Sequence, residues 1–137
     1  MQETTPAAAS LFEKNTPILL VEDDKFFAEL LSKKLEAFGA KVTHVGSGED
    51  ALTALASAIP ALVILDILLP GIDGFEVLRR IKADSKFNGL KVVFLSNFAS
   101  QSQLEEGKKL GITQYFIKAA TTPNEIVHTL AALIKKK

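Results

Sequence analysis

Five short apolar runs, separated by stretches whose apolar residues recur at helical spacing, constrain this chain more than any other feature of its sequence. The runs are Ile18 to Val21, Lys41 to Val45, Leu62 to Leu65, Val92 to Leu95 and Tyr115 to Ile117. Three of them are continuous and aliphatic, the pattern of parallel strands covered on both faces. The Lys41 run alternates instead, which places it nearer a sheet edge. Between the runs, Phe27, Leu30, Leu31, Leu35 and Phe38 form one helical stripe, Leu52 and Leu55 a weaker one, and Phe75, Leu78 and Ile81 a third. The clearest helix is the last, with Ile126, Val127, Leu130, Leu133 and Ile134 on one face. It is opened by Thr122-Pro123-Asn124-Glu125, a capping box with proline at the first helical position. Strand and helix alternating in this way predict an α/β doubly wound sandwich.

A length of 137 residues suits one such domain, and 47% hydrophobic residues can fill its core. Residues 1–16 are expected to be a flexible arm and 17–137 the domain. Sixteen basic against sixteen acidic side chains leave no net field to hold nucleic acid, so no direct nucleic-acid binding is expected. No apolar run approaches the roughly 18 residues needed to cross a bilayer, which argues against membrane insertion. The first residues lack the basic start and apolar core of a secretory signal, which points to a cytoplasmic protein. Absence of cysteine removes disulfides, thiolate metal sites and thiol nucleophiles, and His44 and His128 match no local ligand spacing.

In doubly wound sheets ligands bind beyond the carboxyl ends of the strands. There the first run ends in Glu22-Asp23-Asp24, the third in Asp66, the fourth in Ser96 and the fifth in Lys118. Clustered acids repel one another unless a cation shares the site, and hard oxygen ligands suit magnesium. Asp66 could then attack a phosphoryl group, with magnesium, Lys118 and the Ser96 hydroxyl neutralising its equatorial oxygens. Any one of these charged residues could equally be solvated. Their joint placement after central strands favours the chemical reading.

In order, Ile18-Leu19-Leu20-Val21-Glu22-Asp23-Asp24, Leu65-Asp66-Ile67-Leu68-Leu69-Pro70-Gly71-Ile72-Asp73-Gly74, Leu95-Ser96 and Tyr115-Phe116-Ile117-Lys118 resemble the receiver domain of two-component response regulators. The resemblance covers about Pro17 to Lys136. It implies a flavodoxin-like (βα)5 sandwich, a five-stranded parallel sheet in order 2-1-3-4-5 with helices on both faces. It also implies Asp66 as phosphoacceptor and, for Mg2+, Asp23 and Asp66 as direct ligands, Glu22 through water and the backbone carbonyl of Leu68. Ser96 is then the switch hydroxyl, Tyr115 the aromatic that rotates inward behind it, and Lys118 the partner of the phosphate. Asp24 is left as either a further site acid or a first-turn acid favouring the next helix.

Two departures touch this site. Lys118-Ala119-Ala120 replaces the usual Lys-Pro, with proline delayed to Pro123, and a trans Lys118-Ala119 peptide is expected because a non-proline cis bond costs about 2.5 to 4 kcal/mol. Asn97 follows Ser96 where the family commonly has a small residue, so Asn97 is expected to modulate phosphoryl kinetics.

A haloacid-dehalogenase-type phosphatase needs a second acid where Leu68 stands, and a flavodoxin-type module needs a phosphate-cradling loop where Glu22-Asp23-Asp24 stands. The remaining rival is a pseudo-receiver, a phosphorylation-independent interaction module. The resemblance implies a signalling module that catalyses its own phosphotransfer and slow autodephosphorylation rather than a free-standing enzyme. Its donor would be a sensor histidine kinase or phosphotransfer protein. Its output would be a downstream protein bound through the last helix-strand-helix face, since no helix-turn-helix follows, and a phosphorylation-dependent dimer is compatible.

Overall fold

A computed structural model describes residues 11–97 and 100–135. Strands and helices alternate as β1 (Thr16–Val21), α1 (Lys25–Ala37), β2 (Ala40–Val45), α2 (Gly48–Ser57), β3 (Leu62–Leu65), α3 (Gly74–Ala83), β4 (Lys91–Ser96), α4 (Gln101–Leu110), β5 (Gln114–Ile117) and α5 (Pro123–Lys135). The five strands form one parallel sheet in the order β2-β1-β3-β4-β5. The alternating run is indeed at an edge. The continuous runs fill the interior of the sheet, and all four residues of β3 are buried.

Side chains of a strand alternate between faces, and here that alternation builds two cores. Ile18, Leu20, Ile64, Val93 and Leu95 face α1 and α5, where Leu31, Leu35, Ile126 and Leu130 meet them. Leu19, Val21, Val63, Leu65 and Phe94 face the other way, onto Leu55, Leu78 and Ile81. Each large apolar side chain buried in this way contributes about 1.5 to 3 kcal/mol.

Capping residues start the helices where the sequence changes character. Asp24 Oδ1 accepts from Phe27 N at 3.2 Å, so Asp24 is the cap of α1. At α5, Thr122 N donates to Glu125 Oε1 at 2.8 Å and Glu125 N to Thr122 Oγ1 at 3.1 Å, the reciprocal box read from the sequence.

Two expectations need adjustment. Leu30 is exposed, and Ala28, Leu31 and Leu35 carry the buried stripe of α1. At 100° per residue the face centred on Leu31 turns Leu30 toward solvent, and Ala28 lets the helix approach the sheet closely. The part of the expected arm over residues 11–15 is docked: Phe12 is buried against the α1/α5 core and its N–H donates to Phe38 O at 3.0 Å. Residues 1–10 lie outside the described residues. Among the described residues no peptide bond is cis, Lys118-Ala119 included, and no helix is long and apolar enough to cross a membrane.

Candidate functional site

Parallel strands deliver their carboxyl ends to one edge of the sheet, and the chain leaving β1 and β3 turns there under hydrogen bonds that continue the ladder. Glu22 N donates to Val45 O and Asp66 N to Val21 O, both at 3.0 Å. Glu22 and Asp66 are thereby held side by side, buried, with Asp23 exposed at the rim. One carboxylate oxygen from each of the three lies within 4.8 Å of the others.

Ser96 is the last residue of β4 and is buried. Tyr115 lies on β5, half-buried, its ring edge-on to Phe94 with centroids 5.8 Å apart. Burial pushes its hydroxyl up from the ordinary phenol range, a hydrogen bond with Ser96 opposes this and the Asp66 charge adds to it. Lys118 follows β5 directly, in a short 3-10 turn over Lys118–Ala120. Its Nζ lies 2.5 Å from Glu22 Oε1 and 3.2 Å from Asp66 Oδ2. The structure therefore brings together Glu22, Asp23, Asp66, Ser96, Tyr115 and Lys118. Leu68 N donates to Asp66 Oδ1 at 3.3 Å, which orients the other carboxylate oxygen toward Lys118. Asn97 is exposed beside Ser96, and Asp24 serves α1 as its cap.

Electrostatics sets what this crevice can hold. The Glu22 carboxyl is pushed up to about 7 on balance: desolvation raises it most, the Lys118 contact and charge and the Asp24 N–H at 2.9 Å from Oε2 pull it down, and the Asp66 charge raises it further. Burial would lower the Lys118 ammonium, yet the paired carboxylates outweigh it and hold the group above its usual range. Glu22 Oε1 makes no directed hydrogen bond, so the ammonium contact is its only compensation among the described residues. Three carboxyl groups face one ammonium, so the crevice carries excess negative charge. A hard divalent cation with oxygen ligands fits that excess and that donor set.

Three neighbours carry no signal in the site reading of the sequence. The Phe27 ring centroid lies 5.0 Å from Lys118 Nζ. Phe27 fits the helical stripe of α1, which hides its second contact; its place in the first turn after the acidic pair is the one clue. His44 Nε2 donates to the Glu22 carbonyl at 2.7 Å, steadying the turn after β1. Gly74 lets α3 begin against Asp66: a Cβ there would lie 2.4 Å from the Asp66 carbonyl oxygen.

Comparison with known proteins follows the same constellation. The family described as the response regulator receiver domain matches residues 18–131. The DNA-binding response regulator MtrA of Mycolicibacterium paratuberculosis is 34% identical over 119 residues, 87% of this chain and 51% of that protein. The phosphate regulon transcriptional regulatory protein PhoB of Rhizobium meliloti is 32% identical over 120 residues, 88% of this chain and 53% of that protein. The chain thus spans about half the length of the curated relatives it matches. Among solved structures, the beryllofluoride-activated N-terminal receiver domain of RstA from Klebsiella pneumoniae superposes with a TM-score of 0.79 at 28% identity, over 88% of this chain and 99% of that one.

Proposed function

The chain belongs to the response regulator receiver domain family, the phosphoacceptor module of two-component signalling, and on that premise we propose that Asp66 is the residue phosphorylated. The observation that carries the assignment is Lys118 Nζ bridging Glu22 and Asp66, a cation already waiting where phosphoryl charge would appear. A pseudo-receiver is not favoured, because this chain keeps the acceptor, the acidic pair, the hydroxyl and the lysine in one crevice.

In the proposed transfer, a carboxylate oxygen of Asp66 attacks phosphorus on a phosphohistidine of a sensor histidine kinase or phosphotransfer protein. The P–O bond forms as the P–N bond breaks, and the imidazole leaves with the bonding pair. Glu22, Asp23, Asp66 and the Leu68 backbone carbonyl would hold Mg2+, which when bound supplies charge neutralisation at the transferring oxygens. Lys118 pairs with a phosphoryl oxygen, and the Ser96 hydroxyl donates to another. Ser96 and Tyr115 are hydrogen-bonded to each other, so recruitment of Ser96 to the phosphoryl group changes the Tyr115 contact and the α4-β5-α5 face with it.

The module supplies its own transfer and slow hydrolysis rather than turning over a metabolite. Its output is a protein contact through α4, β5 and α5, which includes a phosphorylation-dependent dimer, and it works in the cytoplasm. The neutral chain makes no direct nucleic-acid contact. Residues 17–137 are the receiver unit in this reading. Intact mass after incubation with acetyl phosphate and Mg2+ tests it. One phosphoryl group is expected, lost in Asp66→Asn and without Mg2+; no gain in the wild type returns the pseudo-receiver to first place.

A further inference from the structure

Lys118 is held by contacts of two kinds. Its Nζ meets Glu22 Oε1 and Asp66 Oδ2, and it also lies 5.0 Å from the centroid of the Phe27 ring. Both carboxylate partners change during the proposed cycle. Asp66 loses a charged oxygen to the acyl phosphate, and Glu22 turns its charge to a divalent cation. The ring does neither, being neutral, aprotic and without a ligand atom.

Lysine is a strongly hydrated point charge on a flexible stem, so an ammonium released by Glu22 would otherwise swing to water. The Lys118 side chain is only 10% exposed, and over the ring face it stays attracted by the aromatic quadrupole. Phe27 is itself placed by its helix and by the core. It lies in the first turn of α1, its N–H capped by Asp24, and its ring packs on the α1/α5 core.

We propose that Phe27 is a positioning residue for phosphoryl transfer: its ring face keeps the Lys118 ammonium in the crevice while that ammonium passes from Glu22 to the phosphoryl oxygens. This rests on Asp66 being the phosphoacceptor. An aromatic face is required, and bulk alone does not suffice.

The test uses the full chain with its lysine ε-methylenes labelled with carbon-13, the Lys118 signal being identified by its loss in Lys118→Arg. The Lys118 ε-methylene protons are expected upfield of the solvent lysines through the ring current, and to stay there on addition of Mg2+ and beryllofluoride, a tetrahedral phosphoryl mimic. Phe27→Tyr keeps the shift and the rate of phosphorylation by acetyl phosphate. Phe27→Leu loses the shift and slows phosphorylation about 5-fold at saturating Mg2+. An unshifted Lys118 signal in the wild type, its return to the solvent position with beryllofluoride, or a Phe27→Leu variant that reacts at the wild-type rate overturns the proposal. Should Phe27→Leu fail to fold, the wild-type and Phe27→Tyr signals still decide. A wild type that takes up no phosphoryl group sinks the Asp66 reading, whereas a phosphorylated wild type with an unshifted Lys118 sinks this inference alone.

Discussion

Buried Glu22 sits between two forces of opposite sign: desolvation drives its carboxyl toward neutrality, and Lys118 at 2.5 Å keeps a negative charge tolerable there. Asp23, one residue on, is exposed. Adjacent acids in one turn thus have different environments, a division that follows from which of them the β1–β2 hydrogen bond turns inward. Asp66, Glu22 and Lys118 were legible in the sequence because each directly follows an apolar run, and the end of a parallel strand is a fixed place. Phe27 was not legible as a site residue, since helical periodicity accounts for it fully and its contact with Lys118 depends on how α1 lies against the end of β5. Asn97, exposed at the mouth beside Ser96, is the residue expected to set access to the acyl phosphate. Asn97→Ala should speed both phosphorylation by acetyl phosphate and hydrolysis about 3-fold, the scale of one modest hydrogen bond or steric contact. Time courses of intact mass check it, and unchanged rates would remove Asn97 from the account.

Short elements here are positioned by their ends. Four of the five strands extend one or two residues beyond the apolar runs that announced them, because backbone pairing continues after the hydrophobic pattern stops. The capping box of α5 was readable to the residue, since a cap is a local hydrogen-bond device that needs no tertiary partner. Leu30 was misplaced by the same periodicity that placed Leu31, because a stripe of five apolar residues is wider than the face the sheet covers. The start of α3 shows the tertiary side. Gly74 N donates to Ile67 O at 2.8 Å, and a Cβ at Gly74 would lie 2.4 Å from the Asp66 carbonyl oxygen and 2.8 Å from Ile67 Cα. Both are backbone atoms that cannot rotate away. Gly74→Ala is therefore expected to lose about 2 kcal/mol in urea unfolding despite the better helix propensity of alanine, and to slow phosphorylation by shifting Asp66. A stability equal to the wild type would show that the α3 entry is slack.

Across the whole molecule, one sheet with a core on each face brings the ends of β1, β3, β4 and β5 to a common edge, so the site's excess negative charge is a property of the assembled fold. A cation that binds only the folded state should then stabilise it by mass action. Millimolar Mg2+ is expected to raise the melting temperature by about 4 °C when it exceeds its dissociation constant tenfold. Asp23→Asn should abolish most of that rise while leaving the metal-free protein no less stable, since an exposed acid in a repelling cluster is replaced. Equal Mg2+ responses in the two proteins, read by calorimetry, would remove Asp23 from the cation site. The sequence by itself determined the alternation of elements, the buried character of the central strands and the residue types at their ends, because periodicity, capping and chain order are local properties. Only the tertiary structure decided that Lys118 compensates Glu22 Oε1, that Phe27 roofs that ammonium and that α3 must start on a glycine, because each depends on distances between segments far apart in the chain.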